Sequence, residues 1–547
     1  MALTATAQAQ TAAPRVSFQQ GTGTAAAPFA RRLDTTPQMA RGEQHAQPRA
    51  PLTGVDPATF ALRKARAAHG LANPKVASPP AARPQTLATP NAAVVFLSTS
   101  EAGCGNVTPA DQAIAVGDTS VGVLQAINVC INVFDKSGNL QPGYPKSLTS
   151  FVGLPAGTPT TDPRAIYDWI NHRYIVSFIQ FDPAQASASS YWIAVSTGDN
   201  PAGGYCLYNL GVQSVAPSGG FFPLPDFPRL GQDRQAIYLA SNIFNTPTSY
   251  QWEEILVLPK AQMYACQSIA GFPVFSDLTL GGVATDSTQP VNVFSAGDAP
   301  RSEYLVTSEN LNFGGGQCST SPCNGLAVWA IYSPLSSPTL SGTFIATSNN
   351  YSLPPNASQP GGANSIDTND TRISGMAMYN AGSIYASINA ANGSNSEVIL
   401  YQIQPFVTAG GANDGQIAGA RILNEFVHGN GHSDAYYATQ QPDPEGNVTY
   451  VWNRSSSTQF VSLAYSSRRA AQTPGTEPDG GIIAVGGAGF YGQGRWGDYT
   501  AVAPGGLASG DSTGSLPVMW FAGMFARSDG TWQTAIGRNG FNAITQP

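Results

Sequence analysis

Charge is scarce in this sequence: Asp, Glu, Lys and Arg make up 11% of 547 residues, against 42% hydrophobic. A surface so poor in charge is covered by Ser, Thr, Asn, Gln and Gly. That suits a turn-rich, extracellular β protein better than a helical cytosolic enzyme. No run of about 18 uninterrupted apolar residues occurs, so no transmembrane segment is expected. CxxC pairs and Cys/His clusters are missing, which argues against zinc. An HExxH helix and a P-loop are missing too, and those enzyme classes go without support. After residue 90 no amphipathic helix longer than three turns is predicted.

What is there falls into two parts. Residues 1–90 hold ten Lys/Arg and three Asp/Glu, a balance of +7; the remainder holds 16 and 30, a balance of −14. The acidic body argues against nucleic acid or anionic membrane as partner, because phosphate binding needs clustered cations. Residues 1–90 are rich in Ala, Pro, Gln and Thr, and read as a signal remnant followed by a flexible, largely disordered basic arm or propeptide. The opening MALTATAQAQ resembles the tail of a signal peptide, with Ala7-Gln8-Ala9 as a small-x-small cleavage site. One short helix is predicted in the arm from Pro57 to His69, with Asp56 as cap, Pro57 in the first turn and Gly70 as stop. The arm either lies along the acidic body, occluding a binding mouth, or is a solvated tail.

Residues 91–547 change texture to short β runs punctuated by Gly, Pro, Asn and Asp, such as YIVSFIQF (174–181) and AIYLASNIF (236–244). A weak repeat runs through them: a turn element, mostly acidic, then an apolar strand. Its anchors are Asp111, Asp162, Asp226, Pro290, Asp370, Asp434 and Asp498, with gaps of 51, 64, 64, 80, 64 and 64 residues. The insertion NFGGGQCSTSPCNG (312–325) accounts for the longest gap. Seven units of about four strands predict an all-β, seven-bladed β-propeller. Six cysteines, ordered as neighbouring pairs, suggest Cys104–Cys130, Cys206–Cys266 and Cys318–Cys323, and with them an oxidising, secreted or periplasmic location.

The phrases PADQAIAVG…VFDKSGNL, TDPRAIYD, PDFPRLGQDRQAIYLASNIF, DTNDTR…MAMYNAGSIYAS and RWGDYTAVA resemble those of secreted bacterial multi-bladed propeller proteins, including sialidase-like exported ones. The resemblance implies the fold, and hardly anything about activity. The sialidase Asp-box S-x-D-x-G-x-x-W does not occur.

The anchors predict a ring of carboxylates near the propeller axis, with Arg164, Arg229, Arg372 and Arg495 close by. Three readings stay open. The aspartates cap turns, with the arginines pairing to neighbouring blades. Alternatively they hold Ca²⁺, with Asp111 and Asp434 as metal candidates, although no other cofactor is called for. Or Asp162, Asp226, Asp370 and Asp498 include a catalytic pair acting on a polysaccharide. Trp496 and Tyr499 are candidates for sugar stacking at the mouth. His428 and His432, in a glycine-rich loop before Asp434, are candidates for ligand binding. The function expected is a monomeric recognition module for an extracellular glycan, peptide or cell-wall component, with a polysaccharide hydrolase or lyase as the alternative.

Overall fold

The computed structural model describes residues 16–24, 29–32, 57–69, 94–182, 189–214, 222–246, 249–309, 323–428, 432–473, 481–505 and 518–540. The described residues are nearly all β, with few and short helices, and among them no helix is long and apolar enough to cross a membrane.

The strands after residue 100 fall into successive antiparallel groups. Their first strands are Ala113–Val116, Thr160–Asp168, Leu224–Gln232, Gln289–Val293, Ala377–Asn380, Asp434–Pro442 and Ala501–Gly505. Each of the first six continues outward through three more strands. The last has two of its own, Val518–Ala526 and Trp532–Gly540, and takes Val94–Ser100 from the beginning of the chain as its fourth. The first strands contact one another in chain order, and Ala501–Gly505 in turn contacts Ala113–Val116.

Burial explains why the groups stack this way. Most first strands are buried along their whole length, with no alternation of buried and exposed positions, and they carry buried polar residues such as Gln289, Asn292, Gln440 and Gln441 among the apolar ones. Neighbouring groups enclose a core between their faces. Ile131, Phe178 and Leu207 meet between the first two, and Leu239, Leu256 and Tyr208 between the second and third. The sequence of cores ends with Ile114, Trp520 and Ile536, where the last group meets the first. Each such side chain contributes roughly 1.5–3 kcal/mol relative to exposure.

Two of the expected disulfides are formed: Cys104–Cys130, with Cα atoms 5.7 Å apart, and Cys206–Cys266, at 5.3 Å. Cys323 is disulfide-bonded, and Cys318 lies outside the described residues.

The arm departs from expectation. The predicted helix is present over Pro57–Ala68, but two stretches of the arm expected to be disordered are strands. Val16–Thr24 adds to the outer edge at Ala270–Leu280, and Phe29–Arg32 adds to Gly204–Gly211. An outermost strand offers a row of unpaired backbone groups, and pairing satisfies both partners without a hydrophobic pattern in the added segment. Phe18 adds one edge-to-face contact with Phe275, with ring centroids 5.3 Å apart.

Candidate functional site

A backbone device recurs at the entry to each first strand. Asp111, Asp162, Phe227, Ser287, Asn369 and Tyr437 have φ between 37° and 56°, and Gly497 has φ 144°. These positions lie at or within three residues of the seven sequence anchors. In three groups the kink coincides with a register shift, at Thr161/Arg164, Asp226/Arg229 and Tyr436/Thr439. For residues as large as Phe227 and Tyr437 the left-handed region is costly, so the surroundings must hold it.

They do so through side chains of other groups. Asn128 Oδ1 accepts from Asp162 N at 2.8 Å, Asn242 Oδ1 from Ser287 N at 3.0 Å, and Asn389 Oδ1 from Tyr437 N at 2.7 Å. Each asparagine belongs to one group and grips the kink of a following one. Aspartates do the same elsewhere: Asp162 Oδ2 accepts from Phe227 N at 3.2 Å, and Asp111 Oδ1 from Asp498 N at 2.6 Å. These asparagines escaped the sequence reading because an isolated Asn carries no sign of a distant partner.

Three of the predicted arginines converge. The guanidinium carbons of Arg372, Arg164 and Arg229 lie 4.7, 5.1 and 5.4 Å from the Phe227 ring centroid, and Arg164 lies 3.5 Å from that of Tyr499. Arg164 Nε donates to Pro228 O at 2.8 Å and Arg229 Nε to Thr288 O at 2.9 Å, each reaching the next group in the same way. Arg164 Nη1 also crosses to Ser374 O at 3.2 Å, and Tyr499 Oη to Pro163 O at 3.1 Å. The inner strands are therefore bridged by side chains at this level. Arg229 is neutralised by Glu253 at 2.5 Å, a partner the anchor pattern did not reveal.

The carboxylates are largely committed. Arg372 grips Asp370 through Nε at 2.8 Å and Nη2 at 2.7 Å, and Arg495 grips Asp498 through Nη1 at 2.8 Å and Nη2 at 3.3 Å. Asp111 accepts from Asn128 Nδ2 at 2.6 Å as well as from Asp498 N. Burial, reinforced by the charge of Asp498, holds the Asp111 carboxyl well above the usual range, and does the same less strongly for Asp162. Burial also pushes Asp286 up to about 7. Asp162, Asp226, Asp498, Arg372 and Arg495 line one open cavity, walled on its apolar side by Ile179, Phe181 and Leu224.

Other candidates lie elsewhere or face inward. Trp496 is 0% exposed, edge-on to Tyr491, and Tyr499 is buried beneath Arg164, so neither offers a stacking face to a sugar. Trp496 instead belongs to a core that includes Tyr436, Tyr437, Met524 and Trp532. Asp434 accepts from Ser358 N and Ser396 N, both at 2.9 Å, and burial lifts it to about 6. It is thus tied to strands of its own neighbourhood, while Asp111 sits with Asp498 and Asp162. Among the described residues no group of three or more His, Cys, Asp or Glu is placed to hold a metal ion. His432 is exposed; residues 429–431 and the side chain of His428 lie outside the described residues.

No family model matches the chain, and no curated protein matches it in sequence. Among solved structures it is similar to a polysaccharide lyase described as an ulvan lyase, at 9% identity and TM-score 0.34, over 80% of this chain and 98% of that one. It is also similar to Hsv2 of Kluyveromyces lactis, at 9% and 0.30, over 79% and 98%. A third is the exo-β-1,3-galactanase of Phanerochaete chrysosporium, at 12% and 0.28, over 79% and 92%. Likenesses this distant carry no argument about this chain.

Proposed function

We propose that this chain is a secreted, seven-bladed β-propeller that acts as a recognition module, binding an extracellular glycan, peptide or cell-wall component at the polar end of its axis. The blade reading is supported by the ordered contacts among first strands, by the inter-group cores, and by the pairing of Val94–Ser100 with Trp532–Gly540. The two disulfides agree with an oxidising compartment.

The observation that carries the function is the state of the cavity's carboxylates. Asp498 is held in a fork by Arg495, and Asp162 already accepts from Thr161 and Phe227 N. Groups fixed this way present a rigid polar surface, which is what a binding site requires, and are poorly placed to exchange protons with a substrate. A polysaccharide hydrolase or lyase is the second reading. It needs Asp162, a cavity-lining carboxyl that burial holds above its usual range, to give up its contacts with Thr161 and Phe227 N and act as a general acid.

A panel of glycans, peptidoglycan fragments and peptides, assayed for binding and for reducing-end release with the native chain and Asp498→Asn, separates the two. Binding without release, weakened by the substitution, is the result expected. Release that Asp498→Asn abolishes establishes the enzyme.

A further inference from the structure

The arm helix brings a lysine to the rim of this face. Lys64 is 6% exposed, and its ammonium donates to Asn369 O at 2.6 Å, Thr368 Oγ1 at 2.7 Å and Pro354 O at 2.8 Å. Three donors thus meet three acceptors, with Asp367 Oδ1 at 4.0 Å to supply charge. Asp367 in turn lies 3.9 Å from Arg495, which lines the axial cavity. The nest therefore borders that cavity.

The segment Asp367–Asn369, which supplies two of the acceptors, is held by bonds that do not involve Lys64. Thr368 Oγ1 donates to Pro355 O at 2.8 Å, which turns its lone pairs toward an incoming donor. Asn389 Nδ2 fixes Thr368 O at 3.0 Å, Asp367 Oδ1 accepts from Asn369 N at 3.0 Å, and Asp367 N donates to Gly494 O at 3.0 Å. Beside them the Asn369 carboxamide, 1% exposed, has neither its oxygen nor its nitrogen bonded within the protein. That leaves a buried donor and acceptor next to an ammonium site. The helix itself is not fully embedded: Leu62 is 60% exposed.

We infer that this nest is a ligand site for a primary ammonium on a flexible tether, the lysyl side chain of a peptide, and that Lys64 occupies it in cis as a mimic of that ligand. The inference rests on the recognition reading above and names its ligand class. Three convergent acceptors suit a compact ammonium and not the planar fork of a guanidinium. The unbonded Asn369 carboxamide matches the amide of a peptide backbone, whose N–H and C=O lie near the tether. Tethering gives Lys64 a high effective concentration, so the docked arm suppresses binding until it is displaced or cut away.

The test uses the full chain and Nα-acetyl-lysinamide as probe. Calorimetric titration is expected to show binding to Lys64→Ala that is about tenfold or more tighter than to the native chain. Adding Asp367→Asn to Lys64→Ala is expected to reverse most of that gain. Nα-acetyl-argininamide and glucosamine, the latter with its amine directly on the ring, are expected not to bind. A second measurement needs no substitution: saturating probe is expected to speed amide exchange over residues 57–68 of the native chain. Equal affinities for Lys64→Ala and the native chain, equal binding of the arginine probe, or exchange unmoved by the probe would overturn the inference. If the chain still binds a member of the glycan panel in that case, the recognition reading stands and only the ammonium site falls.

Discussion

Asp286 offers a stability test whose size follows from its surroundings. The residue is buried at the entry to the fourth first strand, and its Oδ1 has no partner. Burial raises its carboxyl from 3.8 to about 7, although Arg372 pulls the other way. Below pH 3.8 the group is protonated in both the folded and the unfolded chain and costs nothing. As pH rises toward 7 the unfolded chain releases the proton while the folded chain keeps it, so stability falls by about 1.4 kcal/mol per unit. Above 7 both forms are ionised and the loss stays constant, at about 4 kcal/mol. Asp286→Asn is nearly isosteric with the protonated acid and does not titrate. Urea denaturation of the native chain and the variant at pH 4 and pH 8 is the assay. Similar stability is expected at pH 4, with the variant ahead by about 4 kcal/mol at pH 8, on the order of the calculated loss. A difference that does not change with pH would refute the reasoning.

Three further outcomes follow from the same contacts. Asn389→Ala removes the acceptor that holds the Tyr437 kink and the donor to Thr368 O, and a loss of about 2–3 kcal/mol in urea denaturation is expected. Replacing Cys206 and Cys266 by Ser opens a closure of 60 residues, and a loss of about 4 kcal/mol under the chain-entropy model is expected in the same assay. Gly497→Ala puts a Cβ against Met524 Cε, at a φ of 144° and beside Asp111. Its thermal midpoint is expected to drop, and panel ligands are expected to bind more weakly, because Asp498 follows directly.

Much of this architecture was legible in the sequence, and what escaped it did so for identifiable reasons. Strand texture, the helix over 57–68 and two cysteine pairs rest on local signals that tertiary context did not override. The repeat was visible because a kink with positive φ recurs at or beside each anchor, and at Asp111 and Asp162 the two coincide on a residue type that reaches the left-handed region easily. In the other groups the kink falls on Phe227, Ser287, Asn369, Tyr437 or Gly497, and the anchor is a neighbour one to three residues away. The arginines were found, but their association with Phe227 was not, since a ring amid three cations looks in sequence like any core aromatic. Glu253 and Asp286 lie outside the repeat phrase and gain their meaning only from partners in space. Lys64 was one of ten basic residues in the arm, and composition treats them alike. The arm strands show the converse, for edge pairing asks little of the sequence that pairs.

The central claim is that the polar axial face binds and does not turn over its ligand. The most direct measurement takes the tightest ligand of the panel and follows binding and reducing-end release in one sample, for the native chain and for Asp162→Asn. Saturable binding with no release from either protein, and an affinity changed by the substitution, is the result predicted. Release by the native chain that falls by about two orders of magnitude or more in Asp162→Asn, with binding retained, would contradict the account and make Asp162 a general acid.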